Sequence, residues 1–312
     1  MSARERSRDG LETTTPALTY SYSIAGAGCA FSAEPDLLDL IDATYSAFRV
    51  ETVAGGERGY ELALERGPST LRIRDSLGQE FVVADEAEGV VRALDLIVQY
   101  VVRRLGEDGL YAIHAAALEL AGRGLIISGR SGAGKTTLAL ALLTRGFRLL
   151  SDEFALSAPD ARSILPYRRS AHVRPATLEL IPQLAFLEGL PRQQLGGGSE
   201  WSLTPESLDR VFPGCLGGPS TVSNILLLEA GDHEGRSALE PLAAAQAAIE
   251  LVRATPAAAE AFTPVLARLS RLADGARCAL LRPGTLESAL DLVTDWVAQG
   301  ATASPPGDSS RA

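Results

Sequence analysis

Residues 124–136 read Gly124-Leu125-Ile126-Ile127-Ser128-Gly129-Arg130-Ser131-Gly132-Ala133-Gly134-Lys135-Thr136. The apolar run Leu125-Ile126-Ile127 leads into the spacing GxxxxGK followed by Thr, and an apolar helical run over 138–143 comes after it. Strand, glycine-rich loop and helix form the context in which this spacing cradles nucleotide phosphates. The glycines let backbone N–H groups turn inward around phosphate oxygens, and the first turn of the helix adds its partial positive charge. Lys135 then reaches the β- and γ-phosphates, and the Thr136 hydroxyl suits Mg²⁺. The expected nucleotide contacts are Gly129, Arg130, Ser131, Gly132, Ala133, Gly134, Lys135, Thr136 and Thr137. The competing reading is a glycine-rich turn without a ligand. Against it stands the composition: of 29 basic residues, Lys135 is the one lysine and the others are arginine. A chain whose default cation is arginine kept a compact ammonium at this position.

Outward from the loop, strands alternate with helices. Apolar runs at 112–120, 124–128 and 148–151 surround a helix over 135–144, which is α/β order. A Gly- and Pro-rich stretch at 189–220, with Gly196-Gly197-Gly198 beside Trp201, reads as a long lid-like loop. A buried strand is expected at 224–228, then helices near 243–253, 258–273 and 285–298 around a strand at 277–281. Before the loop, residues 17–84 hold short alternating runs at 19–24, 60–65, 71–74 and 80–83 separated by turn residues, a β-rich module. Asp85 offers an N-cap with Glu88 three residues on, and Val90, Leu94, Ile97, Val98, Val101 and Leu105 recur at helical spacing. Residues 85–107 therefore form a connecting amphipathic helix, with the main domain at 108–300 and polar or small-residue tails at 1–16 and 301–312 read as disordered.

Composition narrows the function classes. With 46% hydrophobic and 22% charged residues over 312 positions, the chain excludes wholesale disorder, collagen-like sequence and coiled coil. A net charge of −10 makes it a poor partner for nucleic acid. Cys29, Cys215 and Cys278 lie far apart without a CxxC, which argues against a zinc cage or disulfide framework and for reduced thiols in a cytoplasm. The longest apolar stretch, near 94–102, is interrupted by Gln99 and falls short of the roughly 20 residues of a membrane span. No signal-peptide pattern is read at the N-terminus.

A phosphate loop needs an acid partner, and two are in view. Ile225-Leu226-Leu227-Leu228 ends at Glu229, the distal position of ordinary nucleotide-hydrolysing proteins. Nearer, Arg148-Leu149-Leu150-Ser151 ends at Asp152-Glu153 directly after the loop helix. Two adjacent carboxylates there suit phosphoryl transfer, since one can hold Mg²⁺ while the other orients or deprotonates an acceptor hydroxyl. A solvated strand end is the bland reading of either.

The segments Ile113-His114-Ala115, Gly122 to Gly129, the loop, and Leu143-Thr144-Arg145-Gly146-Phe147-Arg148-Leu149-Leu150-Ser151-Asp152-Glu153 together resemble the catalytic domain of the HPr kinase/phosphorylases, bacterial serine kinases whose P-loop fold is related to phosphoenolpyruvate carboxykinase. The resemblance covers about residues 111–182, the rest only in element order. It implies an α/β P-loop kinase domain carrying a small β-rich N-terminal module for substrate recognition. His114, Lys135 and Asp152 match the family's catalytic positions, His114 tuning Asp152. Glu153 replaces the second Asp of the family's pair, so the division of base and metal roles between Asp152 and Glu153 stays open. Thr136, Glu153 and Glu179 are the implied Mg²⁺ residues. His172 and His233 are taken as structural or surface residues.

The family's longer signature after the acid pair, tied to phosphorylase activity and hexamer contacts, is not recognisable, and the N-terminal module does not resemble its regulatory domain. Kinases of peptide-modification gene clusters, including those acting on lasso peptides, look nearer. The implied function is an ATP- and Mg²⁺-dependent kinase acting on a serine-type hydroxyl of a peptide or small protein, with no nucleic-acid or membrane partner and with homo-oligomers as its assembly. The alternatives are a small-molecule hydroxyl kinase, or a nucleotide-dependent switch that uses Glu229 and transfers nothing.

Overall fold

The computed structural model describes residues 17–51, 59–195, 198–231 and 235–299. The readings of both tails, of Gly196 and Gly197, and of His233 lie outside the described residues. The chain is a mixed α/β protein.

Its N-terminal part comprises β1 (Leu18–Ile24), β2 (Ala27–Ala33), α1 (Pro35–Tyr45), β3 (Arg49–Val50), β4 (Tyr60–Arg66), β5 (Leu71–Asp75), β6 (Glu80–Val83) and α2 (Glu86–Glu107). The strands form a six-stranded sheet in the order β3-β1-β2-β4-β5-β6. Strand alternation buries Ala27, Cys29, Phe31 and Ala33 of β2 on one face. Leu37, Leu38, Ile41 and Tyr45 of α1 and Val90, Ala93, Ile97 and Val101 of α2 cover that face. The Asp85 side chain accepts from the Glu88 N–H at 2.8 Å, the cap expected for α2. Neither β2 nor α1 is legible in the sequence; both add to the expected strands. β2 contains no β-branched residue, and the pattern of α1 is short, with Pro35 in its first turn as the main signal.

The rest of the chain runs β7 (Tyr111–His114), β8 (Ala116–Leu120), β9 (Arg123–Gly129), α3 (Lys135–Leu142), β10 (Arg148–Ser151), β11 (Phe154–Ser157), β12 (Ser163–Leu165), β13 (Ala171–Val173), α4 (Pro175–Leu180), β14 (Gln193–Leu195), β15 (Gly198–Leu203), α5 (Pro205–Val211), β16 (Ser220–Leu228), β17 (Ala238–Pro241), α6 (Ala244–Arg253), α7 (Phe262–Asp274), β18 (Arg277–Arg282) and α8 (Leu286–Gln299). A nine-stranded sheet has the order β10-β8-β9-β16-β12-β11-β7, with β18 also paired to β16 and β17 to β18. Helices cover both faces. Leu125 and Ile127 of β9 pack with Leu138 and Leu142 of α3 and Val293 of α8, while Ile126 between them packs with Leu251 of α6 and Val265 and Leu269 of α7.

The stretch at 189–220 is not a lid. It carries β14, β15 and α5, and β13, β15 and β14 form a three-stranded sheet. Trp201 is buried in the core beside α3, its indole N–H donating to the Leu190 carbonyl at 3.2 Å, so it is a packing residue and not an anchor for closure.

One topological feature decides where the site lies. The single strand expected over 112–120 is two strands, broken at Ala115. β7 pairs with β11 at one end of the sheet order, while β8 pairs with β9 and β10 at the other. The chain steps between these ends twice, through Ala115 and through Asp152-Glu153, so the sheet curls until its ends meet. At this seam the Ala115 N–H donates to the Glu153 carbonyl and the Tyr167 N–H to the Leu150 carbonyl, both at 3.0 Å.

Candidate active site

The phosphate loop joins β9 to α3 beside the seam. β9 lies parallel to β16 with Gly129 opposite Leu228, and a Cβ on Gly129 would stand 2.5 Å from the Leu228 carbonyl oxygen, so only glycine fits. Gly132 (φ +79°) and Gly134 (φ +93°) take left-handed conformations that bend the loop. α3 begins at Lys135 without a side-chain cap, and the N–H groups of a first helical turn have no partner within the helix. Arg130, Ser131 and Gly132 are exposed on the rim while Ala133 is buried beneath them.

Lys135 spans this loop. Its ammonium donates to the carbonyls of Gly129 at 2.9 Å and Arg130 at 3.2 Å. Burial pulls its pKa down, and the Glu153 carboxylate works against that fall. The Thr136 side chain is half-buried. The Thr137 hydroxyl shares a 2.9 Å hydrogen bond with that of Thr177 on α4.

Asp152 and Glu153 form the two-residue step from β10 to β11. Ser151 Oγ accepts from the N–H of Glu153 (3.2 Å) and Phe154 (2.9 Å) and fixes the turn. Asp152 is 5% exposed, and burial, aided by the neighbouring Glu153 and opposed by Arg169, raises its pKa to about 7. A carboxyl so placed sits near the value at which a general base works best at neutral pH.

His114, expected to tune Asp152, lies against Glu153. His114 Nδ1 lies 3.6 Å from Glu153 Oε1, because β7 and β11 pair with His114 opposite Phe154 and the chain turns back one residue earlier. Burial lowers the His114 pKa, Glu153 opposes this, and the positive charges of Lys135 and Arg169 add to the fall. Arg169, which sequence reasoning missed, supplies the counter-charge: its Nη2 donates to Glu153 Oε2 at 3.1 Å from a nearly buried position. The signal available was chemical, since adjacent acids with one of them buried call for a nearby cation.

The other expected residues stand apart. Glu179 is exposed on α4 and takes no part in the ion pairs around Glu153. Glu229 is exposed at the end of β16, where its carboxylate pairs with Arg282 at 3.0 Å, and Arg282 also binds Glu240. His172 is partly buried, with Nε2 3.4 Å from the Thr44 hydroxyl. The hard oxygens of Thr136 and Glu153 suit Mg²⁺, which leaves most of its positions to phosphate and water. Among the described residues no group of three or more His, Cys, Asp or Glu side chains gathers as a metal cage. Burial raises the thiol pKa values of Cys29 to about 12 and of Cys215 and Cys278 to about 11. Among the described residues no helix is long and apolar enough to cross a membrane.

Strand, glycine-rich loop, helix and a following acid pair lie together in a mixed α/β protein. No family model matches the chain. Its relatives are HPr kinase/phosphorylases: it is 30% identical over 79 residues to that of Lactobacillus delbrueckii subsp. bulgaricus (25% of this chain, 24% of the relative). It is 39% identical over 69 residues to that of Azoarcus sp. (21% of each), and 31% identical over 107 residues to that of Bacillus subtilis (31% of this chain, 34% of the relative). The resemblance read from the sequence is thus borne out, over between a fifth and a third of the length of these relatives. A solved Hpr(Ser) kinase/phosphatase from Coxiella burnetii aligns over 61% of this chain and 90% of that chain at 13% identity with a TM-score of 0.27, too low to bear on fold or activity.

Proposed function

We propose that the chain is a P-loop kinase that transfers the γ-phosphoryl group of ATP, with Mg²⁺, to a serine-type hydroxyl of a peptide or small protein. The observation that carries this reading is the meeting of the phosphate loop with the seam: His114 stands 3.6 Å from Glu153, Glu153 opposes the fall in pKa of both His114 and Lys135, and Lys135 adds to that of His114. The relatives are named kinases, which supports transfer over a switch. The distal acid a switch would use, Glu229, is engaged by Arg282.

In this reading the backbone N–H groups of 129–137 and the Lys135 ammonium hold the phosphates. Asp152 accepts the proton as the hydroxyl oxygen bonds to the γ-phosphorus and the bond to the bridging oxygen of ADP breaks. Thr136 and Glu153 would hold Mg²⁺, with Glu179 the further candidate of the family resemblance. When bound, the ion supplies positive charge that stabilises the transferring phosphoryl. His114 and Arg169 orient Glu153. A peptide acceptor, self-assembly and a cytoplasmic location belong to the same reading.

Incubation with γ-labelled ATP and serine-containing peptides tests it. Label is expected on a seryl oxygen, and label appearing only as free phosphate would replace the kinase with a nucleotide hydrolase.

A further inference from the structure

We propose that Arg169 is a positioning residue for the acid pair and that the last turn of α1 holds it there, which makes the N-terminal sheet and helices part of the active site. The consequence for catalysis rests on the kinase reading above; the pairing itself does not.

Arg169 lies on the connection between β12 and β13, where an unsupported side chain would be free to swing. Its side chain is nevertheless only 12% exposed, and it pins one oxygen of Glu153 while His114 approaches the other. Asp152 is also within its field. Glu153 is therefore fixed between two cationic or polar groups, and the adjoining Asp152 inherits that orientation through the three backbone bonds between their Cα atoms.

What fixes Arg169 comes from α1. The carbonyls of a helix's last turn lack partners within the helix, and here two of them accept from the far side: Thr44 from the Ser170 N–H at 3.0 Å, and Ala43 from the Ser202 hydroxyl. The Thr44 hydroxyl meets His172. Tyr45, fully buried, lies in the field of both Arg169 and Glu153. An aromatic row closes the other side, Phe48 to Tyr167 at 5.4 Å, Tyr167 to Phe154 at 5.6 Å and Phe154 to His114 at 6.0 Å between centroids. Arg168, one residue before, points away and donates to the Gly217 carbonyl at 2.6 Å, so the two arginines fasten the segment in different directions. An exposed ion pair of this kind would contribute little, whereas a buried one is costly to break from one side.

The test uses the full chain and the variants Arg169→Met, Arg169→Lys, Ser202→Ala and Glu153→Gln. Arg169→Met is expected to slow single-turnover transfer about 100-fold, the effect of displacing a reacting group by about 1 Å, with MgATP affinity within about threefold of the parent. Arg169→Lys should recover about tenfold of that loss, because the charge is kept and the fork is not. Ser202→Ala, which removes the hydroxyl bonded to the Ala43 carbonyl of α1, should slow transfer about threefold or more. Loss of nucleotide affinity in proportion to rate, or full speed in Arg169→Met, overturns the proposal. A stability cycle is independent of any activity. Unfolding midpoints of Arg169→Met, Glu153→Gln and the double variant should be non-additive by about 3 °C or more, since the second change removes the charge the first left unpaired. Additive midpoints overturn the pairing, and this arm decides alone if the parent binds nucleotide but transfers nothing.

Discussion

His114 faces Glu153, with Nδ1 3.6 Å from Oε1, while Asp152 next in sequence is turned into the protein. The two acids thus have different surroundings: Glu153 holds polar and cationic neighbours at the mouth of the site, and Asp152 lies buried with its pKa raised to about 7. Such a division suits one carboxylate held by cationic neighbours and one that accepts a proton. If His114 acts through Glu153, His114→Asn should slow transfer in the parent but have little further effect in a Glu153→Gln background. Rates for the two single variants and the double measure this, and additive losses would return His114 to Asp152.

Lys135→Ala and Lys135→Arg should both lose two to three orders of magnitude in turnover, about 3 to 4 kcal/mol of phosphate stabilisation, with the fold retained. The ammonium sits within 2.9 Å of the Gly129 carbonyl, where a branched guanidinium has no room to point one charge at the phosphates. Steady-state rates alongside circular dichroism check it, and full activity in Lys135→Arg would remove the lysine from the chemistry.

Asp152→Asn should bind nucleotide normally and transfer nothing, because an amide keeps the shape and cannot take a proton. Glu229→Gln should change transfer by less than about threefold, as it only loosens an exposed ion pair with Arg282. Nucleotide titration and labelled-phosphate transfer on both variants give the answer; reversed effects would favour the switch.

His172 gives stability a pH dependence of its own. Burial first, and then Arg169, hold its pKa down at about 3, the nearby Glu200 carboxylate being engaged by Arg174 at 2.8 Å. The unfolded histidine titrates near 6.5, so between about pH 6.5 and pH 3 the unfolded chain binds a proton that the folded chain refuses. Stability should therefore fall as pH drops below about 6.5, by about 2 kcal/mol at pH 5, with no contribution from this group above 6.5. Denaturation midpoints across pH 4.5–8 in the parent and in His172→Gln check the sign: the variant should lose that part of the slope.

How much of this was readable depended on how local each feature is. The phosphate loop and the acid pair are contiguous runs beside an apolar strand and a helix, so spacing alone exposed them. Arg169 pairs with Glu153 across 16 positions through a fold in which the sheet ends meet, and nothing in its own neighbourhood distinguishes it from Arg168. That His114 meets Glu153 is hidden for the same reason, since which of two adjacent acids faces it is set by strand register. Trp201 shows a different failure: beside a glycine run, an aromatic at a buried position of a six-residue strand reads like an aromatic in a lid.

Deletion of residues 1–84 separates two pictures of the N-terminal part. As a detachable acceptor-recognition module, its loss would weaken acceptor use and spare ATP hydrolysis. The structure argues for joint loss. Phe154, Leu156 and Tyr167 share one buried cluster with Phe31, Leu38 and Ile41, and side chains of this size contribute about 1.5 to 3 kcal/mol each when buried. Thr44 and Ala43 also supply the carbonyls that receive Ser170 and Ser202. The truncated chain should therefore expose apolar surface beside the acid pair and lose hydrolysis and transfer together, with raised dye binding or aggregation. Hydrolysis and transfer measured on truncated protein of verified secondary structure decide between the pictures. A folded truncation that hydrolyses ATP at the parental rate but ignores the acceptor would restore the detachable module and detach α1 from the site.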